Sequence, residues 1–111
     1  MKKFMLLYMA PVSAEEQMAS GDPEKMKQIM GLWVVWFGKM GSAIVDMGNP
    51  TGKAMNVPGG EQSGGPYIGG YSIVQAENMD AAVKMVDGHP FLSDKTGKFS
   101  VEVFELMPVP M

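Results

Sequence analysis

The 111-residue chain has no cysteine, no arginine and a single histidine. Each shortage removes a class of chemistry. Without cysteine there is no disulfide framework, thiol nucleophile or thiolate-ligated zinc. One histidine cannot furnish a His-pair metal site within one chain. All nine basic residues are lysine, set against twelve acidic ones, for a net charge of −3. Phosphate and guanine recognition rely on arginine forks and clustered positive charge, so a nucleic-acid partner is not expected. No apolar run approaches the ~20 residues of a membrane helix. The residues therefore predict no metal, no cofactor, no nucleic acid and no membrane partner.

The chain does contain 46% apolar residues and thirteen methionines, which suits one globular domain spanning 1–111. Lys2 to Met9 is a short apolar run closed by Ala10-Pro11 and reads as a strand buried on both faces. It faintly imitates a signal peptide but is short for one, and a cytoplasmic protein is expected. Asp22-Pro23-Glu24 is a helix start, with a cap, a proline at the first position and an acid at the positive end of the dipole. From there Met26, Met30, Trp33, Phe37 and Met40 form one helical face, widened by Ile29 and Trp36, and Gly41 supplies a stop. Gly31 and Gly38 share another face and would let a neighbouring element approach closely.

Ala43 to Met47 predicts a second strand, which Lys53 to Val57 could continue after a turn. Residues 58–70 hold six glycines and two prolines and read as a loop entering a strand. Tyr67 to Ala76 alternates as a third strand, with Tyr67, Gly69, Tyr71, Ile73 and Gln75 on one side. Asn78 caps a second helix with apolar positions at Met79, Ala82, Val83 and Val86, and Gly88 ends it. Phe99 to Leu106 is the fourth strand. The order β-α-β-β-α-β predicts a ferredoxin-like α+β fold, with an antiparallel sheet ordered 4-1-3-2 and both helices on one face. The first strand is apolar on both sides, so the uncovered sheet face would expose a contiguous patch. Pairing with a second copy, as a homodimer, would cover it, and the alternative is that the Gly-rich loop folds over that face.

The segment Gly70-Tyr71-Ser72-Ile73-Val74-Gln75-Ala76, the helix ending in Gly88-His89-Pro90 and the closing strand Val101-Glu102-Val103 resemble the YCII-related family. The opening Lys3-Phe4-Met5-Leu6-Leu7-Tyr8 fits the family's first strand. The resemblance implies a dimeric α+β barrel, two ferredoxin-like subunits joined sheet to sheet. That superfamily includes small-molecule isomerases, cofactor-free monooxygenases and ligand-sensing domains. It also implies a His–Asp pair as the suggested active site, with the histidine soon after the first strand. There this sequence has Ser13, Glu15, Glu16 and Gln17 instead.

The expected topology brings Tyr8, Asp46, Asn49, Tyr67 and His89 to one edge of the sheet. His89, the only side chain here that titrates near neutral pH, could act as a general base oriented by Asp46. It could equally cap the last carbonyls of the second helix. Tyr8, Tyr67, Tyr71 and Asn49 are candidate substrate contacts, although tyrosines also wall sheet interfaces. Gly48-Asn49-Pro50-Thr51-Gly52-Lys53 only imitates a phosphate loop, being one residue short and followed by Ala54. Two functions fit. One is a small cofactor-independent enzyme acting on a small organic metabolite in the barrel cavity. The other is a non-catalytic dimeric ligand-binding or accessory domain.

Overall fold

The computed structural model describes residues 1–11, 23–52, 54–57, 60–61, 67–92 and 99–110. Strand β1 (Lys2–Ala10) lies between β5 (Tyr67–Ala76) and β6 (Ser100–Leu106), antiparallel to both. Strand β2 (Ile44–Asp46) pairs with the far side of β5, giving the order β2-β5-β1-β6. Counting only these four strands, that is the expected 4-1-3-2 sheet. Helix α1 (Pro23–Met40) connects β1 to β2, and helix α2 (Met79–Val86) connects β5 to β6.

Period-two alternation sorts β1 into two faces. Phe4, Leu6 and Tyr8 are buried against Trp36 of α1 and Ala82 and Val86 of α2, and Ala10 is buried on the same face. Met5, Leu7 and Met9 point the other way and are half-buried. Cross-strand partners share a face. Leu7 opposite Tyr71 and Glu102, and Met5 opposite Ile73 and Phe104, therefore define the face without helices. Phe104 is 48% exposed there.

Helix α2 begins as its cap predicts: the Asn78 side chain accepts from the Ala81 N–H at 2.8 Å. It ends at Gly88, whose φ of 73° reverses the chain. The last carbonyls are satisfied by the N–H groups of Asp87, on Lys84, and of His89, on Val86. The Trp36 indole completes the set by donating to the Met85 carbonyl at 3.0 Å, which ties the two helices together.

Four local expectations change. Met30 is 61% exposed, although it falls in the predicted apolar stripe of α1. At ~100° per residue it lies about 120° round the helix from Trp36, the buried centre of that face. A Cβ built on Gly31 or Gly38 would meet nothing within 4 Å, so among the described residues no element approaches closely at these glycines. The segment after β2 does not extend it: β3 (Met55–Asn56) pairs with β4 (Gly60–Glu61) as a separate two-stranded ribbon. Finally, the β1–β5 register shifts between Tyr8 and Met9, leaving Tyr67 opposite Ala10. Tyr67 thus falls on the helix-covered face, opposite to Tyr71, against the simple alternation.

Candidate functional site

The only histidine is also the most deeply buried titratable side chain described. His89 follows the Gly88 reversal, and the turn Pro90–Leu92 carries its ring inward until it is 1% exposed. It lies on the helix-covered face of the sheet. Trp36 is 4.2 Å away between ring centroids, Trp33 4.6 Å and Tyr8 5.0 Å. Phe91 closes the cluster at 5.1 Å from Tyr8.

Inside these rings runs one hydrogen-bonded chain. The Phe91 amide donates to His89 Nδ1 at 3.0 Å. That bond occupies the Nδ1 lone pair and leaves the proton on Nε2. Nε2–H donates to the Tyr8 hydroxyl at 3.2 Å. Tyr8 donates to Ser72 Oγ at 2.7 Å, and Ser72 donates to the Met47 carbonyl at 2.8 Å. The chain has a single polarity from the Phe91 amide to the Met47 carbonyl. No buried side-chain nitrogen or oxygen among the described residues lacks a partner. Burial disfavours charge on every member. It pushes the His89 imidazole down to about 4, so the ring is neutral at physiological pH. It pushes the Tyr8 phenol up to about 12, against the lowering effect of the Ser72 hydrogen bond.

The other candidates divide between the two faces. Asp46 is opposite Ile73, on the register of the face without helices, and is exposed. Its carboxylate accepts from the Gly48 N–H at 2.8 Å, a local turn in which Gly48 has a φ of 75°. The expected His89–Asp46 pair is therefore not assembled: the sheet lies between them, and both imidazole nitrogens are engaged elsewhere. The His89 side chain does not cap α2 either, because its backbone N–H performs that task. Asn49 is at the edge near Tyr8. Its carbonyl oxygen would be 3.1 Å and the Tyr8 ring 3.6 Å from a Cβ added to Gly70. Tyr67 is at the same end of the sheet, and Tyr71 is on the opposite face.

Sequence reasoning missed Ser72, Trp33, Trp36 and Phe91 as members of this cluster. Ser72 had a signal, being the one polar residue on the buried side of β5 between Gly70 and Val74. The Phe91 amide had none, since a backbone donor leaves no mark in the sequence.

No family model matches the sequence, and no curated protein does. Among solved structures the chain is similar to 5-chloro-2-hydroxyhydroquinone dehydrochlorinase, TftG, from Burkholderia phenoliruptrix AC1100, in complex with 2,5-dihydroxybenzoquinone. The TM-score is 0.56 and the identity 19%, over 96% of this chain and 94% of that one. At that identity the likeness establishes the ferredoxin-like α+β fold of the protomer and no more.

Proposed function

We propose that the chain is a small cofactor-independent enzyme of the YCII-related kind, acting on a small hydroxylated or quinonoid ring compound. The compound binds on the helix-covered face of the sheet, against Tyr8. The observation that carries this reading is the buried His89–Tyr8–Ser72 chain within a cluster of aromatic rings. Such a polar chain costs desolvation that an apolar core would avoid. The raised Tyr8 phenol stays protonated at neutral pH and is a donor for a ligand oxygen that takes the place of Ser72. His89 is then a positioning residue. Its Nε2–H holds the Tyr8 oxygen and supports negative charge developing there. Asp46 has no part in this reading. Tyr67 and Asn49 are contacts at the open end of the site. The fold shared with a dehydrochlorinase of a hydroxylated ring supports the substrate class by analogy.

A second reading, ligand binding without turnover, draws support from the same hydrogen bonds. With both nitrogens engaged and its pKa near 4, His89 is no general base at neutral pH.

The test is a panel of hydroquinones, hydroxybenzoates and their chlorinated forms, followed by absorbance and mass spectrometry with wild type and Tyr8→Phe. Turnover that falls about 100-fold or more in Tyr8→Phe, the usual size of a lost acid–base group, supports the enzyme. Ligand-induced thermal stabilisation without consumption supports the second reading. A panel that is neither bound nor consumed removes both.

A further inference from the structure

Residues of α1, of α2 and of the turn that follows α2 line a groove of about 820 Å³ beside Trp36 and His89. That lies within the roughly 300–1,000 Å³ of small-molecule sites. Trp36 and His89 form its floor, and Met40 and Met85 are among its walls. Along its α1 side are two apolar residues that the core does not use, Leu32 at 50% and Val35 at 66% exposure.

Two lysines flank these apolar walls, Lys39 from α1 and Lys84 from α2, against one carboxylate, Asp87. Both stand in the last turn of their helices, where the dipole alone favours a cation. The dipole does not call for exposed leucine and valine beside them. Neither lysine has an ion-pair partner among the described residues. The groove therefore carries two positive charges against one negative on a chain whose net charge is −3. An apolar trough with lysines on its opposite walls is complementary to a ligand with an apolar body and one negative charge. Lysine stems can cover the body while their ammonium groups meet the anion.

We propose that this groove is a binding site for a small aromatic carboxylate, held by Lys39 and Lys84 with its ring against Trp36, Leu32 and Val35. The site is separate from Tyr8, and its occupancy does not depend on turnover there.

The test is titration of the full chain with 2-naphthoate, with the neutral 2-naphthamide and with acetate, followed by amide chemical shifts. The expected result is saturable binding of 2-naphthoate with shifts confined to Val35, Ala81, Gly88 and their neighbours, and no saturable binding of acetate. The amide and the Lys39→Gln/Lys84→Gln double variant each weaken binding about tenfold, the size set by losing exposed charge contacts. Val35→Glu, an exposed change that leaves the core alone, weakens it at least as much. Equal affinity for the acid and its amide, no effect of the lysine changes, or shifts on the Met5–Tyr71 face would each overturn the proposal. So would the absence of binding. Tyr8→Phe leaves naphthoate affinity unchanged, which separates failure here from failure of the catalytic reading.

Discussion

His89 is neutral because nothing near it rewards a charge. Its two nitrogens meet an amide donor and a phenol, and aromatic rings enclose the rest. Its folded pKa, about 4, is depressed below the unfolded 6.5. The associated stability is therefore complete above pH 6.5 and is lost as pH falls towards 4 and below. By the cost of ~1.4 kcal/mol per pKa unit, the loss amounts to roughly 3 kcal/mol. Tyr8 acts in the opposite direction: with its pKa raised to about 12, its contribution is intact below pH 10 and lost as pH rises through 12. Urea unfolding between pH 7 and pH 4 should thus show a steep loss of stability in wild type and a shallower one in His89→Gln. Parallel slopes would contradict the assignment. The sequence marks His89 as the residue to watch but points to the wrong neighbour. A carboxylate at a strand end is a natural partner on paper, yet Asp46 turns back to its own loop at Gly48.

Helix α2 follows from local rules to a degree that α1 does not. Its cap, its apolar spacing and its glycine stop agree, and its limits match the expectation. Asn78→Ala should remove the cap bond to Ala81 and lower stability by about 1 kcal/mol. Helix α1 is longer and apolar on more than one side, so spacing left its buried centre ambiguous. Packing selected Trp36, whose indole reaches the Met85 carbonyl, and left Met30 outside. A Cβ on either glycine of α1 meets nothing within 4 Å among the described residues. Gly31→Ala and Gly38→Ala should therefore each stabilise the chain, by up to about 1 kcal/mol, readable as a rise in melting temperature. Gly48 behaves differently. A Cβ there would overlap the Tyr71 carbonyl, and its φ is positive, so the same change at Gly48 should destabilise strongly.

At the scale of the whole molecule, the helices leave one face of the sheet uncovered. Leu7, Met5, Met9, Tyr71 and Ile73 are half-buried there, and Phe104 is exposed. We propose that a second copy covers this face, as the apolar first strand already suggests. Leu7→Glu should convert the homodimer to a monomer in light scattering after gel filtration, while a monomeric wild type would refute the interface. No described helix is long and apolar enough to cross a membrane.

Short-range patterning was sufficient for the order of the four sheet strands and two helices, the sheet order and the capped start of α2, because caps, glycine stops and periodicity act over a few residues; the Asp22 cap expected for α1 lies outside the described residues. It could not say which face each tyrosine occupies. That depends on a one-residue shift in the β1–β5 register, which moves Tyr67 to one side and leaves Tyr71 on the other. Nor could it reveal the partners of His89. The Phe91 amide, the Tyr8 phenol and the Ser72 hydroxyl come from three separate elements. They meet only when both helices close over the sheet, and burial there fixes the proton on Nε2 and holds the ring neutral.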